Sequence, residues 1–391
     1  MTGPPDMVST WLEPERTFSY IKGRVALYAI LKAAGIGPGD EVVIPGFTCV
    51  VVPAAVTYTG ARPVFHDIDP LTYNGDPALA ASCLSPRSRA VIVQHTFGVP
   101  AQLGDLPGRC HEKNLLLIED CAHAIGARLD GRPVGTIGDA AFCSLQWSKP
   151  VTTGLGGIAR INTDWLRDRV AEQYAREFHE PGLVDSAFLV ALSRVYRRYY
   201  RPDLYWRVRG AYRWIATKGL VPGSSSTPEL TCPEKPAGYS RRFGRGREGQ
   251  IGKVLRTLPA QVAHSRRVAA RYAERLAALG AFLGRVPPGA TVAPLRFPVL
   301  VRDRELFLRE SRRMRLEIGD WFNSPLHPSE CRSECFGYRP GACPIAETTS
   351  RHVINLPTHT RVDDKTVDRV MDYLESRRGS ILSRHPALPE S

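Results

Sequence analysis

Short apolar runs alternate with helix-like segments from about Gly23 to Asn162, and this alternation constrains the fold more than any other feature. Several runs are β-branched and nearly continuous, as in strands that are buried on both faces of a sheet. The runs predicted as strands are Glu41–Pro45, Pro63–Ile68, Ala90–His95, Leu115–Glu119, Ala140–Leu145 and Ile158–Ile161. The helix-like stretches among them include Val25–Ala34, Val50–Tyr58 and Leu103–Lys113. This order predicts βαβ units and an α/β fold with a mainly parallel sheet.

The alternation of strand-like and helix-like segments stops after about residue 162. Residues from about 164 to 236 are rich in Arg, Tyr and Trp and then in Pro, Gly and Ser, which indicates an insertion of helices and a loop. A long helical pattern returns at Val254–Leu279, with Pro259 interrupting it, and short strands and helices follow. We therefore expect a large α/β domain over residues 1–255, which includes the insertion, and a smaller C-terminal α+β domain over residues 256–391.

The positive charge of the chain is concentrated in one segment. The 391 residues carry a formal net charge of +13, and the stretch from Arg194 to Lys218 holds many basic residues against a single acid, Asp203. Such a field favours an anionic partner. A lid over a phosphorylated substrate, a peripheral membrane contact and a packed helical excursion solvated by arginine all remain open for 194–218. Nucleic acid is not expected as a partner, because the rest of the chain has the features of an enzyme.

The cysteines indicate a reducing compartment. Their number is odd, nine, and they are scattered, several of them in apolar strand-like runs, which fits the cytoplasm better than a disulfide scaffold. The sequence shows neither a signal-peptide pattern at its start nor an apolar run of the roughly 20 residues that a membrane helix needs. Cys331, Cys335 and Cys343 lie close to His327, but their spacing is not that of paired zinc ligands. We expect no metal.

An acid ends one of the predicted strands. Asp120 follows the apolar run that starts at Leu115, and a turn of small residues comes directly after it. Ligands of open α/β sheets bind beyond the carboxyl ends of the strands, so Asp120 is placed to face a pocket. Acids at strand ends are common in such sheets, and alone this one is a weak indication of function.

A lysine lies beyond the end of a later strand. Lys149 follows the strand-like run that ends near Ser144, and a Gly-rich turn separates it from the next strand. A lysine at such an edge can be desolvated enough to react with a carbonyl, although alone it is more simply a surface lysine in a hairpin. Pyridoxal 5′-phosphate (PLP) needs an amine for its Schiff base and a carboxylate that keeps its pyridine nitrogen protonated. Together, Asp120 and Lys149 predict a PLP site.

The sequence resembles the DegT/DnrJ/EryC1/StrS family of PLP-dependent aminotransferases, often called sugar aminotransferases. The motifs that carry the resemblance are Gly23–Leu27, Gly35–Pro45, Gly60–Asp69, Ile118–Gly126, Gly135–Asp139, Ser144–Gly157, Leu326–Pro328, Cys343–Glu347 and Asn355–His359. They occur in order over most of the chain, and the insertion and the two ends fall outside them. The resemblance implies fold type I of the PLP-dependent transferases and a homodimer in which two subunits build each active site.

Four residues match the cofactor site of this family by position. Lys149 matches the Schiff-base lysine, and Asp120 matches the acid that pairs with the pyridine nitrogen. His123 matches a Gln or His near the cofactor ring and its O3′ atom. Ser144 matches a phosphate-binding serine.

Other positions depart from the family pattern. Gly23 and Arg24 stand in place of the Gly-Thr of a phosphate turn at the start of a helix, so we expect Arg24 to bind phosphate as a cation. Cys49 stands where an aromatic residue often stacks on the ring, and either of the two residues before it is a candidate to compensate. Leu155 replaces the usual Glu of a Gly-Glu-Gly-Gly turn. Ser240 replaces an Asn that reaches the phosphate from the other subunit.

The lysine favours transamination, because family members that carry His at this position act as dehydratases. The resemblance implies an amino donor, usually glutamate, and an acceptor that is a keto-sugar, typically nucleotide-linked, or a cyclitol ketone. We expect Lys149 to move the proton between carbon atoms as general base and acid. PLP chemistry other than transamination, such as elimination, is an alternative. A regulatory or membrane-recruited protein on the same fold is a further one, which the intact Lys149 and Asp120 disfavour.

Overall fold

The structure, a computed structural model, describes residues 8–147, 149–182, 227–236, 238–244 and 247–389, and scattered positions between 186 and 210. The basic segment 194–218 lies almost entirely outside the described residues. Its functions as a lid or a membrane contact therefore stay predictions.

A seven-stranded sheet forms the centre of the molecule, with strand order β1-β10-β9-β6-β5-β2-β4. The strands of the chain are β1 (Thr17–Tyr20), β2 (Glu41–Pro45), β3 (Thr48–Cys49), β4 (Arg62–His66), β5 (Ser88–Gln94), β6 (Leu116–Asp120), β7 (Arg128–Leu129), β8 (Arg132–Pro133), β9 (Ala140–Ser144), β10 (Gly157–Ile161), β11 (Ala290–Thr291), β12 (Arg296–Leu300), β13 (Leu326–His327) and β14 (Val353–Pro357). Strands β4, β2, β5, β6 and β9 pair in parallel, and β10 and β1 add an antiparallel edge. The predicted α/β fold with a mainly parallel sheet is confirmed.

The α-helices cover the sheet and build the C-terminal part. In the described residues they are α1 (Gly23–Ala33), α2 (Val51–Thr57), α3 (Pro77–Ser82), α4 (Leu106–Glu112), α5 (Asp164–Glu177), α6 (Thr227–Thr231), α7 (Glu248–Arg256), α8 (Leu258–Ala278), α9 (Arg304–Arg313), α10 (Pro344–His352) and α11 (Asp364–Ser376). The long helical pattern near Pro259 is two helices, α7 and α8. Pro259 lies in the first turn of α8, where its missing N–H has no intrahelical partner to lose.

Strand β1 was missed in the sequence. It has four residues, most of them only partly buried, and therefore no apolar run that would reveal it. It pairs with β10 from Thr17↔Arg160 to Tyr20↔Gly157. The chain thus reaches the start of α1 directly beside β10, and this places the predicted phosphate turn at the sheet.

The C-terminal part has a hydrophobic cluster of its own, formed between Val268 and Ile381 around the antiparallel pair β12–β14. The parallel pairing of β13 with β3 is one of several contacts between this part and the N-terminal part of the chain, and the pairing of β11 with β7 is another. The motif residue His327 is thereby brought opposite Cys49. None of the helices in the described residues is both long and apolar enough to cross a membrane. The domain boundary near residue 255 stays a prediction.

Candidate active site

The carboxyl ends of neighbouring parallel strands bring the predicted residues to one edge of the sheet. Asp120 ends β6 and lies opposite Gln94 of β5 and Phe142 of β9. Ser144 ends β9, and the loop that follows carries Lys149. The sheet thus gathers an acid, a hydroxyl and an amine where ligands of α/β proteins bind.

Asp120 is a buried carboxylate. Its Oδ1 atom accepts a hydrogen bond from the Ala122 amide at 2.9 Å. Burial raises the pKa of Asp120 to about 6, although the Ala122 amide and the charge of Lys149 act in the opposite direction. A buried acid of this kind is stabilised in its charged form by a nearby cation, which is what a protonated pyridine nitrogen provides.

A second buried pair, Glu119 and His95, lies next to Asp120 on β6 and at the end of β5. The Glu119 carboxylate accepts hydrogen bonds from the Gly135, Ile137 and Gly138 amides, and its Oε2 atom lies 3.1 Å from Nε2 of His95. Burial raises the pKa of Glu119, but its hydrogen bonds and His95 outweigh burial and hold the pKa below its usual value. His95 Nδ1 accepts from the Ala101 amide. With Cys121 these side chains have metal-ligand spacing, but the hydrogen bonds already account for His95 and Glu119.

Lys149 is held against an aromatic ring. Its Nζ atom lies 4.6 Å from the centroid of the Trp321 ring. Burial lowers the pKa of the Lys149 amine, while neighbouring Cys49 and Asp120 raise it and offset part of that effect. A lowered pKa increases the fraction of neutral amine at neutral pH, and the neutral form is the nucleophile and base.

His123 stacks on the same Trp321 ring. Its imidazole is nearly parallel to Trp321, with ring centroids 5.2 Å apart and an interplanar angle of 8°. The Phe97 amide donates to His123 Nδ1 at 3.4 Å. Burial, together with the charge of Lys149, holds the pKa of His123 well below its usual value, so the imidazole is neutral. Sequence reasoning missed Trp321, and its only signal is its position just before the Leu326–Pro328 motif.

The start of α1 lies against the end of β9, as the predicted phosphate turn requires. A Cβ atom at Gly23 would lie 3.0 Å from the Cβ atom of Ser144 and 3.1 Å from the Cys143 carbonyl oxygen. Glycine at this position therefore allows the helix N-terminus to approach the serine closely. The first-turn amides of α1 have no intrahelical partners and favour an anion beside the Ser144 hydroxyl.

Arg24 differs from its expected arrangement. Its side chain is buried, and its Nη1 atom lies 2.8 Å from Oε1 of Glu229, a residue of α6 in the insertion. The same carboxylate lies 3.4 Å from Lys22 Nζ through Oε2. Burial lowers the pKa of Lys22 to about 8, and the charge of Arg24 adds to this effect. Both cations of the phosphate turn are thus paired with an acid whose position no sequence pattern predicted.

Cys49 supplies no aromatic ring, and compensation at the cofactor ring by one of its two predecessors stays a prediction. Phe47 packs on Phe322, with ring centroids 5.1 Å apart, in the buried core. The Thr48 hydroxyl donates to the Gln94 side chain at 2.6 Å. The ring next to the lysine is instead supplied by the C-terminal part of the chain.

The remaining two departures lie around the site rather than among the strand-end residues. Leu155 is buried, and its carbonyl oxygen lies 3.4 Å from Nη2 of the buried Arg247. Ser240 is exposed, and its carbonyl oxygen accepts a hydrogen bond from the His179 amide at 2.8 Å. Its contact with a phosphate of another subunit stays a prediction.

The fold and the strand-end lysine and acid define the class of the protein, a PLP-dependent aminotransferase of fold type I. The solved structure of the aminotransferase TlmJ from Streptoalloteichus hindustanus matches it with a TM-score of 0.70 and 26% sequence identity, covering 93% of this chain and 85% of that one.

The chain belongs to the DegT/DnrJ/EryC1/StrS aminotransferase family, whose sequence pattern matches residues 9–190 and 251–375. It is 29% identical over 354 residues to the GDP-perosamine synthase of Caulobacter vibrioides, covering 90% of this chain and 83% of that protein. It is 44% identical over 135 residues to the L-glutamine:scyllo-inosose aminotransferase of Streptomyces griseus, covering 34% of this chain and 32% of that protein.

Proposed function

We propose that this protein transfers an amino group from glutamate to a keto-sugar or to a cyclitol ketone. Among keto-sugars, the preferred acceptor is nucleotide-linked. The observation that carries the proposal is the position of Lys149, whose pKa is lowered. This half-buried lysine follows β9, which pairs in parallel with β6, the strand that ends in Asp120. Family membership supports the reaction class. The named relatives, a perosamine synthase and an inosose aminotransferase, support the two classes of acceptor.

The residues present fit PLP. Lys149 would hold it covalently, Asp120 would lie at its pyridine nitrogen, and Ser144 with the α1 amides at Gly23 would face its phosphate. When bound, PLP supplies an aldehyde that captures amines and a protonated ring that takes up electrons from the substrate carbon. Asp120 would keep the proton on the ring nitrogen, because a buried carboxylate there would favour the protonated ring.

Lys149 moves the proton of the reaction. Its lowered pKa increases the fraction of neutral Nζ, which would accept a proton from the substrate carbon that bears the amino group and return it to the aldehyde carbon of the cofactor. Neutral His123 would contact the cofactor ring near its O3′ atom without adding charge. The Trp321 ring lies beside the amine and would limit the access of water to it.

We further propose that the enzyme is a homodimer with Ser240 near the partner's site, and that it works in the cytoplasm. The exposure of Ser240 supports the first statement. The nine cysteines are all free, which supports a reducing compartment.

The test uses the PLP-loaded protein and follows the absorbance of the cofactor. We expect glutamate to convert the bound cofactor to its amine form, and glutamine serves as a second donor. Lys149→Ala should slow this conversion by about 10³-fold or more, because it removes the general base. Borohydride reduction followed by peptide mass analysis should place the cofactor on Lys149.

Lys113→Ala, which changes an exposed lysine on the same domain, is the matched control and should convert at the wild-type rate. A wild-type protein that binds PLP but is converted by neither amino acid would contradict the proposal. So would a cofactor attached to another lysine.

A further inference from the structure

A segment near the C-terminal end of the chain is docked on the protein, and we call residues 381–388 the C-terminal strap. The strap begins beside the end of β12, because Ile381 forms an antiparallel bridge with Val301. The Leu382 amide also donates to the Leu300 carbonyl oxygen at 2.9 Å. The backbone of the strap is therefore fixed where it leaves the C-terminal part.

One side chain of the strap is fully buried. His385 has no exposed surface, although the residues directly before and after it are exposed. Its Nε2 atom lies 2.8 Å from the hydroxyl of Thr349 on α10, and its Nδ1 atom accepts from the Ala387 amide at 3.1 Å. The Thr349 hydroxyl donates to the Ile345 carbonyl oxygen, so it accepts from His385. Burial lowers the pKa of His385 to about 4, and the neutral imidazole is oriented through both of its nitrogen atoms.

The imidazole of His385 lies between the two parts of the chain. Its centroid lies 5.9 Å from that of Phe282, which follows α8, and 6.4 Å from that of Tyr73, which lies between β4 and α3. Tyr73 is buried and has a φ of 61°, a conformation that residues other than glycine rarely adopt unless their surroundings hold them in it. The strap is therefore one of the contacts that hold Tyr73 in place.

Tyr73 begins a row of aromatic rings that ends at the lysine. Its ring meets that of Phe97 nearly at a right angle, with centroids 5.9 Å apart. Phe97 stacks on His123 with centroids 6.3 Å apart, and its amide donates to His123 Nδ1. His123 stacks in turn on Trp321, whose ring has Lys149 Nζ at 4.6 Å. This aromatic row joins the strap to the histidine that we expect near the O3′ atom of the cofactor.

We propose that His385 is a positioning residue of the active site, which acts through Tyr73 and Phe97 on His123. The inference rests on the proposed function, because it concerns the geometry of that reaction. A close-packed interior transmits a displacement, since a buried ring has no empty space in which to move alone. Loss of the His385 ring would leave a cavity beside Tyr73. Tyr73 would shift toward this cavity, and Phe97 and His123 would follow.

Such a displacement is expected to affect the rate more than the binding of the cofactor. The other groups proposed to hold PLP, Asp120 and Ser144, lie at the ends of β6 and β9 and outside the aromatic row. A misplacement of reacting groups by 1 Å lowers a rate by up to about 100-fold. The maximal rate is therefore the quantity that the strap should control.

The experiment compares three variants of His385 with wild type in the PLP-loaded protein. We expect His385→Ala to lower the maximal rate of conversion by glutamate about tenfold, while the glutamate concentration for half-maximal conversion and the dissociation constant of PLP change less than about threefold. His385→Phe keeps a ring against Tyr73 and should stay within about threefold of the wild-type rate. His385→Gln keeps a donor to Thr349 but no ring, and should resemble His385→Ala. His111→Ala, which changes an exposed histidine, is the matched control.

A second measurement reads the site without turnover. The PLP ring is achiral, so the circular dichroism of its visible absorption band reports the protein groups around it. This dichroism should change in His385→Ala and His385→Gln and stay as in wild type in His385→Phe and His111→Ala. A lower melting temperature of His385→Ala with the wild-type rate and dichroism would show a purely stabilising role and overturn the inference. A wild-type rate in His385→Gln with a loss of rate in His385→Phe would also overturn it, because the hydrogen bond and not the ring would then matter.

Failure of the proposed function gives a different pattern. In that case the PLP-loaded wild type is converted by neither glutamate nor glutamine, while the dichroism still tests the strap. Altered dichroism in His385→Ala and unaltered dichroism in His385→Phe then support the positioning role, and equal spectra in all proteins contradict it. His385→Gln serves for all comparisons if His385→Ala does not fold, as judged by its melting temperature.

Discussion

The two ends of the proposed cofactor site are built in different ways. At the pyridine end, Asp120 is fixed by a strand end and by the Ala122 amide, and the pair Glu119 and His95 lies buried behind it. At the phosphate end, the helix N-terminus at Gly23 lies against Ser144 as expected, but the neighbouring cations are engaged by an acid from the insertion. The pyridine end has the arrangement that the family resemblance predicts, whereas the cations of the phosphate end are paired with an acid that the resemblance does not predict.

The largest effect is expected at the pyridine end, from Asp120→Asn. The cofactor-free acid has a pKa of about 6, and a protonated pyridine stabilises its ionised form. Wild-type affinity for PLP should therefore rise as the pH increases from about 5 to 7. Asp120→Asn should bind PLP about 100-fold more weakly at neutral pH and lose this rise, as measured by absorbance titration.

The same pKa predicts the stability of the cofactor-free protein. Because burial raises the pKa of Asp120 above 3.8, the unfolded state releases its proton first, and stability falls as the pH rises from about 4 to about 6. Asp120→Asn should remove this loss, which is of the order of 3 kcal/mol for a shift of about two units. Asp105→Asn, an exposed acid, is the control. Tighter PLP binding by Asp120→Asn would show that Asp120 does not stabilise the protonated pyridine. The proposed difference between the pyridine end and the phosphate end would then fail.

A smaller effect, of opposite sign, is expected at the phosphate end. Glu229→Gln removes the acid that engages Arg24 and Lys22, so the cofactor phosphate should meet more positive charge and bind about tenfold more tightly. The buried Arg24 loses its ionised partner, and stability should fall by about 3 kcal/mol. Titration with PLP and chemical denaturation measure the two changes.

Glu234→Gln, an exposed acid close in sequence, is the control for Glu229→Gln and should change neither quantity. Weaker PLP binding by Glu229→Gln would mean that the acid orients Arg24 toward the phosphate. The phosphate end would then follow the family after all, and the contrast between the two ends would fail.

The contrast also explains what the sequence could predict. The strand ends at Asp120 and Ser144 are local features, because continuous apolar runs show the buried strands and parallel pairing aligns their ends. Strand β1 is an edge strand without such a run, and it was missed. The central strands of the sheet were therefore predictable, whereas its partly buried edge strand was not.

The residues that were missed reach the site by tertiary packing. Trp321 belongs to the C-terminal part, and no spacing along the chain connects it with Lys149. Glu229 lies in a segment without periodicity, so its contact with Arg24 had no sequence signal. Side chains that meet across separate elements depend on how those elements pack, and a single sequence does not encode that packing in a local pattern.

The smallest effect is expected from Ser240→Asn, which restores the residue that the family uses at this position. Ser240 is exposed, so its replacement should change stability by less than about 0.5 kcal/mol. If the active protein is a dimer that shares its sites, the amide adds about one hydrogen bond to the partner's cofactor phosphate, and PLP should bind several-fold more tightly. Ser240→Ala and the exposed Ser82→Asn should stay within about twofold of wild type. Sedimentation as a monomer, or equal affinities in all four proteins, would confine the phosphate end to one chain, with Ser144 and the α1 amides as its binding groups.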